Sequence, residues 1–212
     1  MLKIECITVG AFLVNTYLII DKATNEAAII DTGETTELAD YLETKREEFK
    51  LTKILLTHGH LDHAGSLKDI QHLFDAETYL PRLDKPLFDT LPQQGDWFGA
   101  PHMNRPCGRI DHFVDDGDII SLGETDLTFI STPGHTPGQG CYYTNQDIFV
   151  GDTLFAGSVG RTDLPMGDAA LMQKSLRKLS SLPGSLIVHS GHGQTTTIAD
   201  EKRHNPFLQF LR

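Results

Sequence analysis

Residues 57–63 read Thr57-His58-Gly59-His60-Leu61-Asp62-His63 and place three histidines and an aspartate within six positions. An H-x-H-x-D-H pattern arises from composition alone in a chain of this length with a probability on the order of 10⁻³. Residues 53–56 before it, of which the last three are apolar, predict a strand, and residues 64–74 after it predict a helix. A polar loop between a strand and a helix is where α/β proteins place their sites.

The geometry of this loop provides for two metal positions. In an extended chain residues i and i+2 point the same way, so His58 and His60 can offer ring nitrogens to one cation. Asp62 and His63 lie further along and could reach a second cation. The ordinary alternative is that Asp62 only caps the following helix, which explains the aspartate but not three histidines.

Three further loops carry potential metal ligands, and each follows a predicted strand. His135 follows the strand at 127–130, Asp152 follows the strand at 148–150, and His192 follows the strand at 186–188. Taken singly, His135 could be a turn residue and Asp152 a cap. Because all these loops occupy the same kind of position, we expect them to form one site.

The remaining patterns predict two α/β halves that pack sheet to sheet with helices outside. Further strands are predicted at 4–9, 16–20, 27–30, 113–114 and 140–143, and helices at 35–49 and 169–179. Residues 81–112 contain five of the ten prolines and predict a surface excursion with one short helix around 85–90.

Composition argues against several classes of function. The net charge is −11, and no lysine–arginine cluster exceeds a pair, so nucleic acid and anionic membrane are poor partners. No apolar run reaches transmembrane length, and the N-terminus lacks the layout of a signal peptide. The odd number and wide spacing of Cys6, Cys107 and Cys141 fit a reducing cytoplasm, where we expect the protein.

The four motifs together resemble the metallo-β-lactamase superfamily. They are H-x-H-x-D-H at 58–63, G-H-T at 134–136, G-D-T at 151–153 and G-H-G at 191–193, in this order along nearly the whole chain. Within the superfamily the chain is similar to glyoxalase II-type hydrolases, in particular the short bacterial subgroup without an appended helical domain. Supporting stretches lie at 57–65, 151–157, 160–163 and 205–208.

This resemblance implies an α/β fold, a four-layer αββα sandwich, formed by a single domain over residues 1–212, with a dinuclear site between the halves. It assigns one metal to His58, His60 and His135, the second to Asp62, His63 and His192, and a bridging position to Asp152. Asp31 matches an aspartate that supports the histidine loop, although it could equally be a turn residue.

The activity implied is hydrolysis of a small-molecule acyl thioester such as S-lactoylglutathione. Two divalent cations would supply the attacking hydroxide, with Asp62 as the catalytic carboxylate that helps to orient it. The leaving thiolate, with a pKa of about 8.5, needs little help from an acid. The nitrogen and oxygen ligands suit Zn, Fe or Mn, among which we favour Zn. Nothing in the sequence indicates an oligomeric state.

The sequence departs from the larger glyoxalase II enzymes, which weakens the assignment of glutathione. It lacks their helical domain, and Gly160-Arg161-Thr162-Asp163 replaces their Lys-Phe-Tyr type of segment. The same segment resembles iron-dependent persulfide dioxygenases of the superfamily, and a lactonase or another ester hydrolase is also open. We predict that Arg161 binds a substrate carboxylate, with a structural pair to Asp163 as the alternative.

Overall fold

The computed structural model describes residues 1–209, which contain fourteen strands and eight α-helices. The strands are β1 Leu2–Val9, β2 Val14–Asp21, β3 Glu26–Ile30, β4 Lys50–Leu55, β5 Glu77–Pro81, β6 His112–Val114, β7 Ile119–Leu122, β8 Thr125–Ser131, β9 Gly140–Tyr143, β10 Asp147–Gly151, β11 Leu154–Phe155, β12 Ser158–Val159, β13 Ile187–Ser190 and β14 Thr196–Thr197. The helices are α1 Glu37–Thr44, α2 Leu61–Ala64, α3 Leu67–Leu73, α4 Lys85–Phe88, α5 Leu91–Trp97, α6 Ala169–Ser180, α7 Ile198–His204 and α8 Pro206–Gln209.

Two six-stranded mixed sheets form the centre of the molecule. The first has the order β1-β2-β3-β4-β5-β6, in which β3 to β6 run parallel. The second has the order β14-β13-β10-β9-β8-β7, in which β10 and β13 form a parallel pair. The strands β11 and β12 form a separate hairpin.

Alternation along the strands gives each sheet two apolar faces. In β2, Tyr17 faces the second sheet and Leu18 faces the outer helices. In β10, Phe149 joins Tyr17 in the middle cluster, while Val150 packs with residues of α6 and α7. The layers are therefore helices, sheet, sheet and helices, which confirms the αββα sandwich that the resemblance implied.

Two predicted helices have different bounds in the structure. The helix predicted over 35–49 is wrong in its second half, since α1 ends at Thr44. The backbone of Phe49 is extended and its side chain is buried, because the chain there already enters β4. The helix predicted over 64–74 begins earlier, at Leu61, and is interrupted between α2 and α3, where the N–H of Ser66 donates to the carbonyl of Gly33.

The prediction that residues 81–112 form a surface excursion is wrong. The segment contains α4 and α5 and two 3₁₀ turns, Arg82–Asp84 and Pro101–Met103. Leu87, Phe88 and Leu91 are fully buried, and Phe88 and Leu91 belong to the cluster between the first sheet and its helices. The prolines start short helices here, with Pro86 and Pro92 in their first turns, and do not prevent packing.

Strand β5 was not predicted, because its pattern is obscured by a buried threonine, Thr78, and a terminal proline, Pro81. This strand matters for the site, since the parallel strands β3, β4 and β5 all end at one edge of the first sheet. None of the described helices is long and apolar enough to cross a membrane. The single domain over 1–212 stays a prediction, and residues 210–212 lie outside the described part of the chain.

Replacement of Leu91 by alanine tests whether the 81–112 segment is part of the core. Leu91 is fully buried, so we expect Leu91→Ala to lower the free energy of unfolding by about 2–5 kcal/mol in urea denaturation. Leu83, in the same segment but 61% exposed, is the matched control, and Leu83→Ala should change it by less than about 0.5 kcal/mol. Equal effects of the two variants would contradict this packing.

Candidate metal centre

Seven imidazole and carboxylate side chains converge where the two sheets meet. The loop after β4 and the helix α2 that follows it supply four of them, and one each comes from the loops after β8, β10 and β13. Three groups have potential ligand atoms within 4.8 Å of one another: His58, His60 and His135; His58, His63 and Asp152; and Asp62, His63 and His192. The first and third groups are the two ligand sets that the resemblance implied.

Asp152 lies between these two groups. Its Oδ1 is 3.2 Å from Nε2 of His63, and its Oδ2 is 3.6 Å from Nε2 of both His135 and His192. The carboxylate therefore faces residues of both ligand sets, which is the geometry that a bridging ligand requires.

Asp31 determines which ring nitrogen of His58 and of His63 is available to a metal ion. Its Oδ2 accepts hydrogen bonds from the hydroxyl of Thr57 and from Nδ1–H of His63, both at 2.8 Å. The Thr57 oxygen in turn accepts from Nδ1–H of His58 at 3.0 Å. In both rings Nδ1 thereby keeps its proton, so Nε2 is the nitrogen that would bind a metal ion. Asp31 also has a φ of 59°, so it turns the chain at the end of β3 as well.

His135 is fixed in the same sense by a backbone group. Its Nδ1–H donates to the carbonyl oxygen of Arg161 at 2.7 Å, which leaves Nε2 as an acceptor. That Nε2 lies 2.8 Å from Nδ1 of His60, so the two rings present nitrogens to one position.

These residues fit a metal centre. Among the described residues, the buried side-chain atoms without a hydrogen-bond partner include Nε2 of His58, Nε2 of His63 and Oδ1 of Asp152, which belong to one group of potential ligands. Buried polar atoms are normally paired, so three such atoms in one place point to a missing partner. Imidazole nitrogens together with carboxylate oxygens are ligands that zinc, iron and manganese accept.

The electrostatics favour a cation at this place. Burial, with help from neighbouring imidazoles, holds the pKa of His58 well below its usual range and lowers the pKa of His60 to about 3, so both rings are neutral ligands. Burial also opposes charge on His63, but Asp152, Asp62 and Asp31 outweigh it and raise the pKa of His63 well above its usual range. Three carboxylates that attract a proton so strongly equally favour a metal ion.

Asp84 is a residue of the site that the sequence analysis missed. It is fully buried, and its Oδ2 accepts from the N–H of Gly59 at 2.8 Å and from the hydroxyl of Thr136 at 2.7 Å. Its Oδ1 accepts from the N–H of Gly138 at 2.5 Å. One carboxylate thus ties the histidine loop of the first half to the His135 loop of the second. The signal that could have found it is β5, since Asp84 follows the end of that strand.

The side chains of Gln94 and Asn15 also hold the ligand loops, by hydrogen bonds to the backbone of those loops. Gln94 is fully buried, and it accepts from the N–H of Leu61 at 2.8 Å and donates to the carbonyl of Gly59 at 3.0 Å. The amide of Asn15 donates to the carbonyls of Ser190 and Gly193, on either side of His192. No local pattern marks either residue, because each contact spans more than thirty positions of sequence.

A cleft of about 340 Å³ opens above the site, and five of the seven potential ligands line its floor. Arg161 also lines it. The guanidinium of Arg161 forms two hydrogen bonds with the carboxylate of Asp163, at 2.7 and 2.8 Å, which is the structural pair considered as the alternative. Substrate binding by this side chain stays a prediction. It would require the guanidinium to leave Asp163, or to bind the substrate and Asp163 at the same time.

Comparison with known proteins gives consistent similarities over the whole chain. Residues 9–192 match the family described as the Metallo-beta-lactamase superfamily. Hydroxyacylglutathione hydrolase GloC from Haemophilus influenzae is 39% identical, with 98% of each chain covered.

Two solved structures are similar at comparable levels of identity. The BLEG-1 B3 metallo-beta-lactamase has a TM-score of 0.88 and 34% identity, covering 97% of this chain and 99% of its own. TTHA1623 in a di-iron-bound form has a TM-score of 0.85 and 33% identity, covering 96% and 100%.

Removal of the Asp84 carboxylate should weaken both the fold and the metal centre. Asp84→Ala leaves three buried donors unpaired, so we expect the free energy of unfolding to fall by about 2–5 kcal/mol. Loss of support for the ligand loops should weaken metal binding about 10- to 100-fold in competition with a chelator. Asp89→Ala, which removes an exposed carboxylate of the same segment, should change neither quantity appreciably. Unchanged metal affinity in Asp84→Ala would contradict the role given to this residue.

Proposed function

The chain belongs to the metallo-beta-lactamase superfamily of metal-dependent hydrolases, and we propose that it hydrolyses a thioester of the S-lactoylglutathione type. The observation that carries this proposal is the convergence of seven potential ligands, in overlapping groups whose ligand atoms lie within 4.8 Å of one another, under an open cleft. The similarity to a hydroxyacylglutathione hydrolase over nearly the whole chain supports a thioester as substrate.

We assign the ligands in two sets that share one residue. His58, His60 and His135 would hold the first metal, Asp62, His63 and His192 would hold the second, and Asp152, which faces residues of both sets, would serve both. We propose zinc for both positions, although the similarity to a di-iron-bound protein makes iron the alternative to test.

The chain's own residues position the reaction. When bound, two divalent cations lower the pKa of a water molecule towards neutrality and polarise the substrate carbonyl. Asp62 is the more exposed of the two ligand carboxylates, so it can accept a hydrogen bond from the attacking water and orient it. Asp31 keeps the rings of His58 and His63 in the ligand tautomer, directly or through Thr57. The leaving thiolate needs little help from a general acid, since the pKa of a thiol is only about 8.5.

We also propose that the protein works in the cytoplasm. Cys6, Cys107 and Cys141 are all free thiols in the structure, as is usual for proteins of a reducing compartment.

The stoichiometry of bound metal tests the two-set assignment. We expect two metals per chain by elemental analysis after expression with excess zinc, iron or manganese. Asp152→Ala should lose both, because it removes the one carboxylate that faces both sets. Asp163→Ala, which removes an exposed carboxylate paired with Arg161, should retain both. A wild-type stoichiometry that never exceeds one would refute a dinuclear site and favour the persulfide dioxygenase alternative.

Release of thiol tests the substrate class. We expect the metal-loaded protein to release glutathione from S-lactoylglutathione, followed with a thiol-reactive dye, and Asp62→Asn to lower kcat at least about 100-fold. Lactones, a β-lactam and glutathione persulfide with an oxygen electrode form the panel of alternatives. Turnover of one of these, without thiol release above the metal-free control, would transfer the assignment to that alternative.

A further inference from the structure

The cleft above the metal centre has apolar outer walls. Its floor is formed by ligand side chains, whereas the walls carry Phe12, Leu61, Phe98, Phe155, Val159 and Leu164. These residues come from the loop after β1, from the helix α2, from the C-terminal cap of α5, and from the β11–β12 hairpin and the segment after it.

The same cleft offers little to a charged substrate. Among the described residues that line it there is no lysine, and Arg161 is its one arginine. Both oxygens of Asp163 accept hydrogen bonds from the Arg161 guanidinium, so a substrate carboxylate would have to compete with Asp163 for it. The carboxylates of a glutathione moiety therefore have no unpaired cationic side chain to bind in this cleft.

Phe12 and Phe98 form one continuous aromatic wall at the mouth. Their ring centres are 5.5 Å apart and the planes are inclined by 63°, an edge-to-face contact. Phe98 is 43% exposed although it is apolar, so the wall presents uncovered hydrophobic surface beside the floor of the site. Apolar surface placed next to a polar site commonly marks the place where a ligand is bound.

The loop that carries Phe12 is held rigidly by two carboxylates. Glu34 accepts hydrogen bonds from the N–H groups of Ala11 and Phe12, and Glu37 accepts from the N–H of Gly10. Gly10 has a φ of 72°, and a Cβ there would lie 2.1 Å from the Glu34 carboxylate. This close approach fixes the loop, so the ring of Phe12 is positioned in advance of binding.

We propose that the Phe12–Phe98 wall binds an apolar group attached to the scissile thioester, on its acyl or its thiol side, and thereby makes the enzyme selective for thioesters with aliphatic or aromatic substituents. This inference rests on the proposed thioester hydrolysis and narrows it to a substrate class. The two phenylalanines are specificity-determining residues, and the metal ligands supply the chemistry.

Two substrate series identify the side on which the apolar group lies. In the first, S-lactoylglutathione is compared with S-(3-phenylpropanoyl)glutathione, which share the thiol. In the second, acetyl thioesters of glutathione and of benzyl mercaptan share the acyl group. Each kcat/KM is divided by the rate constant for hydrolysis of the same thioester by hydroxide, which removes differences in intrinsic reactivity. In at least one series this ratio should be higher for the apolar member by about tenfold or more. Equal values in both series would overturn the inference and leave the thioesterase proposal intact.

Variants of the loop show whether the preference comes from the aromatic wall. Phe12→Ala should reduce the preference to near unity mainly through KM for the apolar member, and Phe98→Ala should do the same. Leu13→Ala is the matched control, since Leu13 is an exposed apolar residue of the same loop that does not line the cleft, and it should keep the preference. An equal loss on both members in Phe12→Ala would overturn the inference.

Binding of thioethers tests the inference independently of turnover for an apolar group on the acyl side, because their S-alkyl group stands in place of the acyl group. S-hexylglutathione and S-methylglutathione cannot be hydrolysed, and calorimetry of the metal-loaded protein should give a Kd for the hexyl compound that is lower by about tenfold or more. Phe12→Ala should remove this difference. If no thiol is released but the two thioethers still differ in Kd, and Phe12→Ala removes that difference, thioester hydrolysis is refuted and the aromatic site is retained. Equal affinities for the two thioethers, together with no preference in the substrate series, would refute the aromatic site.

Discussion

The buried carboxylate of Asp31 is the interaction on which the organisation of the metal centre depends. An aspartate that is 1% exposed must be fully hydrogen-bonded to be tolerated, and Asp31 meets this condition with the N–H and hydroxyl of Thr57 and the ring of His63. Its own N–H donates to Leu55, so it also joins the ends of two parallel strands. The hydrogen bonds that compensate the burial of this carboxylate also set the tautomers of the histidine rings. The same residue therefore stabilises both the metal centre and the edge of the sheet.

The centre is also the place where the two halves of the sandwich are tied. Asp84 from the first half bonds the loop of His135, and Asn15 and Tyr17 from the first half bond the backbone beside His192. Metal ions held from both sides would add their binding free energy to the association of the halves. The stability of the fold and the affinity for metal therefore depend on the same loops.

The parts of this arrangement that were predictable from sequence are those encoded locally. The histidine motif, the strands before each ligand loop and the alternation that defines two sheets are all visible within a few residues. Asp84 and Gln94 were not predictable, because their partners in the ligand loops lie 25 to 54 positions away and their own neighbourhood is rich in proline. The apolar residues 87, 88 and 91 could have indicated that this segment is buried, but proline was given more weight than helical periodicity.

The contact between His135 and Arg161 has a consequence for how this protein could diverge. His135 is oriented by the carbonyl oxygen of residue 161, whereas the side chain of that residue extends to the rim of the cleft. A backbone acceptor is present whatever amino acid occupies the position. Mutation there can alter the surface that substrates meet while the ligand beneath keeps its orientation. The chain can thus explore new substrates at this point by single substitutions, without first passing through variants that have lost the metal.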